Sequence, residues 1–294
     1  GLGHALDRAA RMAEPERTLA VVQDAHRRWW EPELRDLPAG NVIAQPGNRG
    51  TAVALLHALC TILARDPEAL VLVLPSDQEV EDELTWYATL RHAAGSALGL
   101  PHHVVLVGVE PQPDPDFGWI VPGEPAAHGT RAVLGFVEKP SATEAARLAL
   151  RGALCSTFTF AASAMALLEI YRRHPSARIA RFARALGDST LALGVGAAES
   201  EDLPASDFSH DLLERAPQLV RVVMGDPCGW TDLGTPERLA RWLQRRRLGS
   251  EDPAPALAAG AGPSGGSRTG VRWGPRRVRA GQGSHRIDEN LPVH

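Results

Sequence analysis

The sequence of 294 residues predicts an α/β fold: a mixed, mostly parallel sheet with helices on both faces. Three observations predict it. Short apolar runs alternate with segments of helical spacing along most of the chain. One run, residues 69–74, is apolar without a break, as expected of a parallel strand buried on both faces. Polar clusters follow the strands, where open parallel sheets gather their ligands.

Residues 5–13 read as the end of an amphipathic helix, 18–22 as a strand and 26–34 as a second helical stretch. Residues 41–45 form a strand that ends in the tight polar loop Pro46-Gly47-Asn48-Arg49-Gly50. Thr51 is placed to cap the next helix, 52–64, in which Val53, Leu56, Leu59 and Leu63 share one face. The apolar run stops at Pro75-Ser76-Asp77, and a helix follows over about 79–94. Residues 104–109 are the next strand, and 117–121 with 132–137 read as a pair. Helices are expected over 143–150, 162–173, 179–186 and 209–215. A strand over 219–224 precedes Gly229-Trp230-Thr231-Asp232, and a last helix runs over 236–247. Residues 1–248 therefore read as the folded domain. Residues 249–294, rich in Gly, Pro and Arg, carry too few apolar side chains for a core and read as a disordered tail.

Composition narrows the function. A net charge of -4 gives no reason to expect a nucleic acid or an anionic membrane as partner. No apolar run approaches the roughly 20 residues of a membrane-spanning helix. The three cysteines form no CxxC pair, so a metal or disulfide framework is not expected and a reducing cytoplasm is the expected setting. Lys139 is the only lysine, every other cation among the 31 Lys+Arg being arginine. A compact ammonium retained at one position suits a place where a single point donor must reach an oxygen.

Five segments arrive in a fixed order: Gln45-Pro46-Gly47-Asn48-Arg49-Gly50-Thr51-Ala52, Leu74-Pro75-Ser76-Asp77, Phe117-Gly118-Trp119-Ile120, Phe136-Val137-Glu138-Lys139-Pro140 and Gly229-Trp230-Thr231-Asp232-Leu233-Gly234-Thr235. The set resembles the sugar-1-phosphate nucleotidyltransferases, nearest to the bacterial mannose-1-phosphate guanylyltransferases, over about residues 1–245. The resemblance implies their Rossmann-like nucleotide-diphospho-sugar transferase fold. It also implies their reaction, in which a sugar 1-phosphate attacks the α-phosphorus of a nucleoside triphosphate and expels pyrophosphate. Phosphoryl chemistry of this kind rests on positioning and charge neutralisation.

In that family Asp77 and Asp232 would hold Mg²⁺, and Lys139 would reach the sugar phosphate, the three forming the catalytic set. Glu138, Gly118 and Ser156 would receive the sugar, with Ser156 standing where the family has Asn. Gln45 would read the purine edge, with Asn48, Arg49, Gly50, Thr51 and Ser76 around the nucleotide, at a helix N-terminus suited to anions. GTP and mannose 1-phosphate are the implied substrates. A glucose-1-phosphate thymidylyl- or uridylyltransferase and a noncatalytic nucleotide-sugar-binding subunit are the alternatives, and a homodimer is compatible with all three. Each segment alone also fits a turn, a cap or a solvated ion pair.

The family's opening strand and its GGxGTR phosphate loop have no match in these residues. That strand would sit near the middle of the sheet, so the chain as written is expected to expose apolar surface and to be unstable or nearly inactive. His102-His103, Trp29-Trp30 and Asp114-Pro115-Asp116 read as structural, the last as a turn.

Overall fold

The structure is a computed structural model that describes residues 1–112, 114–186 and 203–249. In chain order its strands are β1 (Ala20–Gln23), β2 (Val42–Gln45), β3 (Leu70–Val73), β4 (Gln78–Glu79), β5 (Val104–Val109), β6 (Gly118–Pro125), β7 (Arg131–Glu138), β8 (Leu154–Ser163), β9 (Val220–Met224) and β10 (Thr231–Asp232). The helices are α1 (Leu2–Ala10), α2 (Arg27–Trp30), α3 (Gly50–Arg65), α4 (Glu83–Gly99), α5 (Ala142–Leu150), α6 (Ala164–Arg172), α7 (Ala177–Leu186) and α8 (Pro236–Gly249).

β5 is buried at every position, and its alternating side chains divide the interior. Val104 and Leu106 join a core with Val53, Leu56 and Leu59 of α3 and with α6. Val105, Val107 and Val109 join a second core with Trp86, Tyr87 and Leu90 of α4. Helices therefore cover both faces, as expected. The sheet order is β3-β8-β5-β9-β7-β6, with β6 also meeting β8. The sheet is mixed: β3, β5, β9 and β6 run one way, β8 and β7 the other. Because these two reversed strands intervene, β5–β9 is the parallel pair within the sheet. A second parallel pair, β1–β2, stands as its own two-stranded ribbon.

Four expectations change. The 69–74 run does not become a central strand: β3 lies at the sheet edge among the described residues, pairs antiparallel with β8 and is only half-buried, with Leu70 36% exposed. Its sequence suits two neighbours, and the structure gives it one. The helix expected from about residue 79 begins later. Gln78 and Glu79 pair with β10 instead, and the Asp82 carboxylate caps α4 by accepting from Leu84 N and Thr85 N. Thr51 does not cap α3: that position falls to Arg49, whose side chain makes no capping bond. Trp30 packs, with its indole donating to Gln23 O, whereas Trp29 is exposed. The tail reading lies outside the described residues from 250 onward.

Candidate functional site

The β4–β10 pair builds one end of the site. Asp232 stands opposite Gln78, and Leu233 N donates to Asp77 O at 2.7 Å, so two segments distant in sequence are stitched into one antiparallel turn. The carboxylates of Asp77 and Asp232 feel each other. Dense surrounding protein pushes the Asp77 carboxyl above its ordinary range although the residue keeps an exposed face, Asp232 pushes the same way, and Arg238 opposes both. Ser76 is exposed in the same turn. Gln78, which stands where the resembling family has His, is buried and joins β8: its amide donates to Thr157 O and its carbonyl accepts from Thr159 Oγ1.

The β6–β7 hairpin and β8 build the middle. Gly118 pairs with Glu138, and a Cβ at Gly118 would lie 2.7 Å from Glu138 Oε2, which is why the position is open to a glycine. Since Trp119 pairs with Cys155, the register carries Ser156 alongside Gly118. Ser156 is buried and its Oγ accepts from Phe158 N at 3.3 Å. Lys139 is held in left-handed backbone, φ 47, by its N–H donating to Phe117 O. A lysine gains nothing locally from that conformation, and such strain collects at sites that use it. Its ammonium is exposed and lies 3.9 Å from Glu138 Oε1. The Glu138 carboxyl is pushed up to about 7, first by burial and then by Asp207, with Lys139 and Ser209 opposing.

The loop before α3 builds the far end, and its polar atoms are largely committed. Asn48 Oδ1 accepts from Gly50 N, and buried Gln45 bonds His57 Nδ1 through its amide at 3.0 Å. Pro46, Gly47, Arg49 and His57 line a cavity of about 220 Å³. Thr51 Oγ1 donates to Asp207 Oδ2 and accepts from Phe208 N. Ser206 N donates to Arg49 O, and Ser206 O accepts from Ala52 N at 3.1 Å. The α3 N-terminus is thus partly capped by a distant backbone segment, which corrects the expectation of a helix end open to anions. Gly50 has φ +81, and a Cβ there would stand 2.2 Å from Ser206 O, so the strap requires glycine.

Three contributors escaped the sequence. Asp207 bonds the loop through Thr51 and acts electrostatically on Glu138, linking the two ends. Glu214 accepts from Glu138 N, and between them Ser209–Leu213 forms a π-helical turn where a plain helix was expected. Arg238, buried in α8, meets Asp232 and Asp114, so the 114–116 turn is more than a turn.

Asp77, in the turn before β4, and Asp232, in β10, are hard oxygen donors and fit Mg²⁺, which takes one or two carboxylates and completes its octahedron with water and phosphate oxygens. Among the described residues no group of three or more His, Cys, Asp and Glu is arranged to hold a metal, so the protein by itself offers a partial coordination sphere.

Residues 3–245 match the nucleotidyl transferase family. The chain is 28% identical over 231 residues to the mannose-1-phosphate guanylyltransferase RfbM of Salmonella typhimurium, covering 75% of this chain and 47% of that protein. It is 27% identical over 231 residues to the xanthan biosynthesis protein XanB of Xanthomonas campestris, covering 74% and 47%. The chain thus spans about half the length of these curated relatives. Among solved structures, a Thermus thermophilus protein described as mannose-1-phosphate geranyltransferase is similar with a TM-score of 0.70 and 28% identity, covering 85% of this chain and 69% of that one.

Proposed function

The chain belongs to the nucleotidyl transferase family, and we propose from that premise that it serves the transfer of a nucleotidyl group from GTP to mannose 1-phosphate, releasing pyrophosphate. The observation that carries the reading is the meeting of Asp77 with Asp232 across the β4–β10 turn. Several relatives bear the name mannose-1-phosphate guanylyltransferase, which favours guanine and mannose over the thymidylyl and uridylyl alternatives.

Asp77 and Asp232 would hold Mg²⁺, which when bound supplies charge neutralisation to the phosphate oxygens. Lys139, an exposed point charge beside the hairpin, would receive the sugar phosphate. Glu138, close to half-protonated near neutrality, could donate to or accept from sugar hydroxyls, with Gly118 clearing room beside it. Arg49 would face the base from the loop cavity, with buried Gln45 bracing the cavity-lining His57 from within.

A noncatalytic nucleotide-sugar-binding role is the second reading, favoured by the Ser206 carbonyl that occupies Ala52 N at the α3 N-terminus. Incubating the chain with a panel of triphosphates and sugar 1-phosphates, while following pyrophosphate release and GDP-mannose binding, separates the readings. Formation of GDP-mannose supports the first, and binding without turnover supports the second. Product only from dTTP or UTP with glucose 1-phosphate moves the substrate assignment. Neither binding nor turnover with any pair overturns both.

A further inference from the structure

Arg238 is an unusual arginine for a surface helix. In α8 it is 6% exposed, while its neighbours Glu237 and Leu239 face solvent. Its guanidinium is fixed on three sides: Nη1 donates to Asp114 Oδ2 at 3.0 Å, Cζ lies over the Phe117 ring 4.6 Å from its centre, and Nε lies 2.9 Å from Asp232 Oδ1. The last is a charge contact without hydrogen-bond alignment. The same oxygen, Oδ1, also accepts from Gly234 N at 2.6 Å. One hydrogen bond and one buried positive charge therefore converge on the same oxygen of Asp232. Among the described residues no hydrogen bond or ion pair of this kind engages Oδ2, which is left to act with Asp77.

A carboxylate so held can give a metal ion one oxygen. The distinction matters because divalent ions differ in what they ask of a carboxylate. Mg²⁺ is small, demands a near-ideal octahedron at about 2.0–2.1 Å and takes carboxylates through single oxygens, whereas Ca²⁺ accepts six to eight oxygens and gains from bidentate carboxylates. We propose that Arg238 sets the ion preference of the Asp77–Asp232 pair: by engaging Oδ1 it makes Asp232 a one-oxygen ligand and so favours a small octahedral ion over Ca²⁺. This rests on the reading of the acid pair as a metal site. Arg238 acts through Asp232 and is a positioning residue. Planarity is essential to the role, because the Phe117 ring and Asp114 hold the guanidinium in one orientation from which it cannot swing aside.

Titrating the full chain with MgCl2 or CaCl2 alone, at constant ionic strength, and reading the thermal unfolding midpoint tests the proposal. The quantity to compare is the ratio of the half-saturating Ca²⁺ and Mg²⁺ concentrations. Both ions carry the same charge, so loss of the Arg238 charge changes both affinities in step and cancels in the ratio. In the native chain the ratio is expected to exceed about 10. In Arg238→Gln, where Oδ1 keeps the Gly234 N–H but loses the buried charge, the ratio is expected to fall by about 3-fold or more. Arg238→Lys keeps a buried cation and serves if the Gln variant does not fold; its ratio is expected to lie between the two. An unchanged ratio in a folded variant overturns the proposal, as does a native chain that responds equally to both ions, and either leaves the acid pair as a metal site. A native chain that neither ion stabilises overturns the metal reading itself. Asp232→Asn is the control that removes the response to both.

Discussion

The two ends of the candidate site are organised in opposite ways. At the β4–β10 end, two carboxylates are brought together and part of their oxygen set is left uncommitted, with Arg238 bracing one of them from behind. At the loop before α3, the side chains that looked available are already engaged: Asn48 with Gly50 N, Gln45 with His57, Thr51 with Asp207 and Phe208. Polar groups bonded inside the protein brace a frame, whereas unsatisfied charge brought close together invites a ligand. The loop end therefore acts by shape and position, and the acid end by charge.

That contrast can be broken or sharpened by substitution. The largest effect is expected at the acid end: Asp77→Asn should lower nucleotidyl transfer by roughly 100- to 1,000-fold, the scale of losing a preorganised electrostatic partner, with little change in unfolding midpoint because the fold already disfavours its charge. Steady-state rates beside a melting curve check it. At the loop end the order should invert. Gly50→Ala places a Cβ against Ser206 O in left-handed backbone and should destabilise by about 3 kcal/mol, read by urea unfolding. A stability loss at Asp77 or a silent Gly50→Ala would erase the contrast.

Glu138 lies between the ends and carries a pH signature. Its carboxyl is raised from 4.5 to about 7 in the folded protein, so the native state binds more protons than the unfolded chain between those values. Stability contributed by that proton is full below about 4.5 and is lost as pH rises through about 7, a fall of at most about 3 kcal/mol. Glu138→Gln should flatten this slope in unfolding experiments across the same range. An unchanged slope would place the titration elsewhere. The smallest effect is expected at Lys139, where glycine relieves the left-handed backbone: Lys139→Gly should stabilise by up to about 1 kcal/mol while weakening sugar-phosphate binding. Calorimetry of both properties tests whether strain and binding are linked at this residue.

Much of this arrangement was legible in the sequence because it is local. The spacing of Val53, Leu56, Leu59 and Leu63 marked the buried face of α3; the first three are buried, and Leu63 packs against the core partly buried. The apolar run over 104–109 marked a strand, and the structure makes β5, buried at every position, the one covered on both sides. The two aspartates were marked by the family-like segments that carry them, Asp77 just past an apolar run and Asp232 in a polar turn. What stayed hidden depends on distance along the chain. Asp207 reaches Thr51 across a contact that no periodicity encodes, and Arg238 looks in sequence like any arginine on an exposed helix. The 69–74 run misled in the other direction: apolarity reports what a strand is suited to, not how many neighbours it has, and β3 has a neighbour on one side only among the described residues. The left-handed turn at Lys139 was invisible because sequence signals for that conformation are carried by Gly and Asn.

Lys139 has a practical corollary. A chain with one side-chain amine, set in solvent at the lip of the hairpin, is addressable by acylating reagents at a single interior position. Labelling there, followed by mass spectrometry with and without a bound phosphate, turns that residue into a footprint of occupancy for the whole site. No engineered handle is required, since arginine stands at every other basic side-chain position and mass spectrometry resolves the α-amine as a separate site.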